Sequence, residues 1–224
     1  MSDRAEVISA DYLKQQQTLH ERSDYGTASL AFAPFVKSLL DITRFSSLAD
    51  YGAGKQNLRR RLKQLGRDAF TYLPYDPAFP DYGPPRTAEL ACCIDVLEHI
   101  EPEHLDAVLD DLARITGRLG FFTVHTGPAV KLLSDGRNAH LIQQPASWWL
   151  PKFCQRFEIV HLQLIPKGFC VLVAPKADSE ALAGLDMIEI RRAAGRARFK
   201  RSVPLAVRAW RRLQELASHG HPAS

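Results

Sequence analysis

Leu90-Ala91-Cys92-Cys93-Ile94 is the stretch that narrows the fold most. Five consecutive apolar residues with no polar alternation, closed by Asp95, suit a strand covered on both faces. Such strands belong to parallel sheets flanked by helices. The rest of the chain supplies the flanks. Residues 45–50 and 69–76 read as two further strands ending in an acid, and 120–126 as a fourth. Helical patterns over 8–20, 27–40, 55–65 and 102–116 alternate with them, Thr27 being the expected cap of the second. A short helix is expected at 145–153. Residues 157–164 and 169–174, around Pro166-Lys167-Gly168, read as an antiparallel hairpin. Together these predict an α/β fold of three layers: a mostly parallel sheet with a C-terminal antiparallel hairpin, plus a basic helical tail. Ligands of open parallel sheets lie beyond the carboxyl ends of the strands. Asp50, Asp76 and Asp95 are therefore expected along one crevice.

After the first strand comes Gly52-Ala53-Gly54, then a helix start. Glycines here let a ligand approach the backbone, and the N–H groups of the turn and the helix start are expected to face it. The four cysteines have no metal-ligand spacing, so they are read as buried thiols of a reducing compartment, and no metal ligands are assigned. No signal pattern and no membrane-length apolar run is seen, so a cytoplasmic protein is expected. The net charge of +4 divides unevenly: residues 191–224 hold nine Lys/Arg against one acid, and the rest is mildly acidic.

Asp50-Tyr51-Gly52-Ala53-Gly54-Lys55-Gln56, the later Asp76, and Asp95-Val96-Leu97-Glu98-His99 with Ile100-Glu101-Pro102 resemble the motifs of the class I S-adenosylmethionine-dependent methyltransferases. The resemblance implies a Rossmann-like methyltransferase fold with S-adenosyl-L-methionine as cofactor. It assigns Asp50, Gly52, Ala53, Gly54, Asp76, Pro77, Asp95, Val96 and Leu97 to the cofactor, Asp76 holding the ribose hydroxyls. Two departures stand out. Gln56 replaces a third glycine, and the third strand and its helix are compressed between Asp76 and Glu89. The adenine contact that strand normally supplies has no clear counterpart, Asp81 and Tyr82 being substitutes.

On the acceptor side, His99, His125 and His140 are candidate general bases, since imidazole titrates near neutrality. Asp135, Arg137, Asn138 and Trp148 are candidates for acceptor recognition, and Tyr12, Tyr25 and Gly26 for closure over the cofactor. The expected divisions are N-terminal helices over 1–44, a cofactor-binding core over 45–176 and a basic extension over 177–224. The expected activity is methylation of a small-molecule or glycan-like acceptor, on oxygen by preference. A basic amphipathic stretch at 191–213 suggests peripheral contact with an anionic inner-membrane surface, and nucleic acid ranks behind it. The alternatives are an RNA or protein methyltransferase recruited by the tail, and a catalytically inactive cofactor-binding module.

Overall fold

A computed structural model describes residues 5–22, 25–176 and 180–197. Two helices come first, α1 (Ala10–Glu21) and α2 (Ser29–Thr43). Then β1 (Ser47–Tyr51), α3 (Asn57–Gln64), β2 (Thr71–Tyr75), β3 (Ala88–Ile94), α4 (Leu105–Ile115) and β4 (Thr116–His125) follow. The chain closes with α5 (Ala146–Arg156), β5 (Phe157–Ile165), β6 (Gly168–Pro175) and α6 (Met187–Arg196). The strands form one sheet in the order β2-β1-β3-β4-β6-β5. Strands β1 to β4 pair in parallel, and β6 runs antiparallel to both β4 and β5.

Alternation along the strands divides the core into two layers. Ala91, Cys93, Phe122 and Val124 face α4 and α5, where Leu109, Leu112, Trp149 and Phe153 wait. Leu90, Cys92, Ile94 and Phe121 face α2, α3 and α6. The adjacent Cys92 and Cys93 thus point into opposite layers, and burial pushes both thiols well up. Every residue of Leu90–Ile94 is at most 7% exposed, which is why the run shows no polar alternation.

Some boundaries depart from expectation. Thr27 does not cap α2: the cap position is Ala28, and no side chain bonds to the helix start. Between β2 and β3 only a 3-10 turn, Pro80–Tyr82, interrupts the loop, so β2 is the sheet edge. Pro74 on that edge cannot donate to a further strand, a usual protection for an edge. Residues 187–196, at the head of the basic stretch, pack on the body: Ile190 and Ala194 of α6 are buried against the α2 layer. Residues 198–213 of the expected membrane-binding stretch lie outside the described residues. Among the described residues no helix is long and apolar enough to cross a membrane.

Candidate functional site

The carboxyl ends of β1 to β4 open into a cavity of about 390 Å³, within the range of small-ligand sites. Asp50, Asp76 and Asp95 all line it, as do Gly52, Ala53, Gly54, Pro77 and Val96. Leu97 does not; it is fully buried in the α4 layer.

The glycine turn is built differently from the sequence expectation. The N–H groups of Gly52 and Ala53 donate to the carbonyl of Tyr75, at 2.8 and 3.0 Å, and so are not turned to a ligand. The N–H of Gly54 donates to Asp76 Oδ2 at 2.9 Å. The turn therefore clamps the end of β2 and aims its acid. A Cβ on Gly52, whose φ is +77°, would stand 2.3 Å from Val96 Cγ2. Gln56, in place of the third glycine, keeps the glycine's backbone: its φ is 55° and ψ 37°. A left-handed non-glycine residue costs about 1–2 kcal/mol, so the change alters the chain's strain rather than its path.

Asp76 accepts a second backbone bond from the N–H of Ala78, at 2.9 Å to Oδ1. Two N–H groups hold its carboxylate while each oxygen keeps a lone pair for the cavity. Burial raises its pKa, and the nearby His20 imidazole, 4.0 Å from Oδ2, acts in the other direction. His20 comes from the last turn of α1, packs edge-on against Tyr25 and Phe79, and lines the cavity. Tyr12, Gln16, Tyr25 and Gly26 line it too, so the first helix and the segment before α2 form its roof. Asp81 and Tyr82 do not reach the cavity; the Tyr82 hydroxyl donates to the carbonyl of Gly54 from behind.

Asp50 is 4% exposed and accepts a hydrogen bond from the Tyr72 hydroxyl. Burial pushes its pKa up to about 7; the Tyr72 bond offsets part of this, and the charge of Asp76 adds to it. Asp95 sits just past β3 at a φ of 52°, with Oδ1 accepting from the Thr123 hydroxyl at 2.9 Å. A left-handed aspartate at a strand end is a strained position of the kind that clusters at functional sites.

The opposite wall holds three imidazoles. His99 ends the 3-10 turn Leu97–His99, His125 ends β4, and His140 follows the loop after β4. Ring centroids of His99 and His140 are 4.8 Å apart, and those of His125 and His140 4.6 Å. All three line the cavity. Burial pushes the His99 pKa down to about 3, helped by His140. An imidazole with so low a proton affinity is a poor general base near neutrality. The His99 expectation is corrected to that extent.

The loop candidates are not on the cavity wall. The Asn138 side chain is a strut: Oδ1 accepts from the N–H groups of Ala129 and His140, both at 2.9 Å, and Nδ2 donates to the carbonyl of Ala129. Asp135 and Arg137 pair with each other at 2.7 Å on the surface, with Gln15 donating to Asp135. Trp148 lies over Lys152 and against Trp149, also away from the cavity. Short local bonds satisfy these polar groups, and sequence alone could not separate a strut from a ligand contact. Among the cavity-lining residues that sequence reasoning missed are Gln16, His20, Lys131 and Lys167. For His20 the only signal was a histidine in the last turn of an N-terminal helix.

No protein-family model and no curated protein matches the chain. Solved structures do. TnmH superposes over 74% of this chain and 61% of its own, with a TM-score of 0.52 at 15% identity. A 1,6-didemethyltoxoflavin-N1-methyltransferase of Burkholderia thailandensis, with bound 1,6-didemethyltoxoflavin and S-adenosylhomocysteine, superposes over 78% of this chain and 93% of its own. Its TM-score is 0.53 at 15% identity. At such identities the likeness establishes the fold. The chain spans less than two thirds of TnmH.

Proposed function

We propose that this chain, which has the class I methyltransferase fold, binds S-adenosylmethionine in the cavity and methylates a small-molecule or glycan-like acceptor, on oxygen by preference. The observation that carries the reading is the convergence of Asp50, Asp76 and Asp95 from three adjacent parallel strands on one cavity, with three imidazoles facing them. The residues fit the cofactor. Asp76, nine-tenths buried and aimed by two N–H groups, offers both oxygens to a pair of ribose hydroxyls. Asp50, with a pKa near 7, offers a carboxylate that a cationic amino group would hold ionised. Gly54 leaves the space between Asp76 and His20 clear; a Cβ there would stand 3.0 Å from the His20 ring.

When bound, S-adenosylmethionine supplies an electrophilic methyl group on a sulfonium. The chain has to orient the acceptor and take up its proton. His125 lines the cavity with its ring Nδ1 3.0 Å from the carbonyl oxygen of Gly127, and we assign it the proton of a hydroxyl acceptor. The roof formed by α1 and Tyr25 excludes water from the cofactor side. Lys131 and Lys167 line the cavity, and their charge favours an acceptor with anionic character. The exposed side of α6 presents Arg191, Arg192 and Arg196, and this charge continues into the sequence beyond 197, which supports contact with an anionic lipid surface.

Transfer of labelled methyl from S-adenosylmethionine to hydroxyl-bearing small molecules and lipid-linked sugars tests the activity. Asp76→Ala should weaken S-adenosylhomocysteine binding by about 1–3 kcal/mol. An unchanged affinity would remove Asp76 from the cofactor site.

A further inference from the structure

We propose that Glu98, His99 and His140 form a binding site for one divalent first-row transition-metal ion at the imidazole wall of the cavity. One ligand atom from each residue lies within 4.8 Å of the other two. With metal–ligand bonds of about 2.0–2.2 Å, adjacent ligands of a closed site stand roughly 3–3.5 Å apart. Side-chain movement of about an ångström would close the set.

The two rings are prepared as ligands. His99 Nδ1 lies 2.7 Å from the carbonyl oxygen of Ala139, and His140 Nδ1 lies 2.7 Å from that of Gly127. A carbonyl oxygen only accepts, so Nδ1 carries the proton in each ring. In a neutral ring that puts the lone pair on Nε2. A backbone carbonyl that fixes the tautomer in this way is the usual outer partner of a metal-ligating histidine. Glu98 is oriented with equal care. It has no solvent exposure, its Oε1 accepts from the His125 N–H at 2.9 Å, and its backbone carbonyl accepts from Ile142 at 3.0 Å. Glu98 lies fully buried behind the cavity lining, where an ion held between it and the two rings would offset the cost of burying its charge.

Two imidazole nitrogens and one carboxylate oxygen suit manganese, iron, cobalt, nickel or zinc better than magnesium or calcium, which prefer all-oxygen sets. Three protein ligands leave coordination positions open to the cavity, where two oxygens of an acceptor could sit. His140 is brought to the site by the Asn138 strut, which makes Asn138 a positioning residue. The metal site stands on this geometry alone. Its service to an acceptor rests on the methyl-transfer reading.

The test uses the untagged full chain, stripped with chelator, and titrates MnCl2, CoCl2 and ZnCl2 by calorimetry with MgCl2 as comparison. Visible absorption of the cobalt form reports the ligand set. One ion per chain is expected, with Glu98→Gln and His140→Ala each weakening binding by at least about 10-fold and changing the cobalt spectrum. S-adenosylhomocysteine is titrated into the same samples. Absence of saturable one-to-one binding in the unmodified chain, or binding that both substitutions leave unchanged, overturns the site. Metal binding without S-adenosylhomocysteine binding keeps the site and removes the methyl-transfer reading.

Discussion

Replacing Asp50 by Asn removes a charge from the floor of the cavity and keeps its shape. The asparagine oxygen can still accept from the Tyr72 hydroxyl. The effect on stability follows from the raised pKa. Burial moves Asp50 from the ordinary aspartate range, near 3.8, up to about 7 in the folded chain. Below about pH 4 both folded and unfolded chains hold the proton and nothing is lost. As pH rises toward 7 the unfolded chain releases it first, so native stability falls by about 1.4 kcal/mol per unit. The whole loss is on the order of 4 kcal/mol, complete above about pH 7, and the asparagine variant escapes it. Between pH 5 and pH 8 the variant should therefore gain about 2–3 kcal/mol on the parent chain. Urea unfolding at both pH values reads this as a midpoint difference that widens by roughly 1 M. The same substitution should weaken S-adenosylhomocysteine binding, because the ligand's amino group loses its counter-charge. Stability curves that stay parallel from pH 5 to pH 8 would refute the claim that Asp50 is buried as a proton-holding acid.

One further substitution and two truncations probe the rest of the frame. Gly52→Ala places a Cβ 2.3 Å from Val96 Cγ2 at a φ of +77°, so a loss on the order of 2–4 kcal/mol is expected, read by calorimetric melting. A melting temperature within a degree of the parent would show that the turn relaxes freely. A chain ending at Ala197 should keep its stability and cofactor affinity and lose any pelleting with anionic liposomes; pelleting that persists would remove the lipid role of the basic end. A chain ending at Ile190 instead exposes the surface that Ala194 covers, and should melt lower than the one ending at Ala197.

The sheet was legible because its constraints are local and strong. Leu90–Ile94 could only be buried on both faces, and its acid had to fall at the carboxyl edge with Asp50 and Asp76. The glycine turn was legible as a turn but misread as a row of donors. Its N–H groups meet Tyr75 and Asp76, contacts between the ends of β1 and β2 that lie 22 residues or more apart and leave no mark on local pattern. The same holds for the imidazole wall. His99 and His140 are 41 residues apart with α4 and β4 between them, and Asn138 braces the loop that follows β4. Asp135, Arg137 and Asn138 looked like a recognition loop because polar residues around a glycine look alike whether they bind a ligand or each other. The basic run from 191 hid a buried side, since Ile190 and Ala194 sit among arginines whose charge dominates the composition.

The central claim is that the cavity beyond β1, β2 and β3 is a cofactor site. Calorimetric titration of S-adenosylhomocysteine into the unmodified full chain at pH 7.5 tests it most directly. One-to-one binding that Asp76→Ala weakens is the result this account predicts. No binding at about millimolar ligand, weaker than about 4 kcal/mol, by a chain that still melts cooperatively would contradict it.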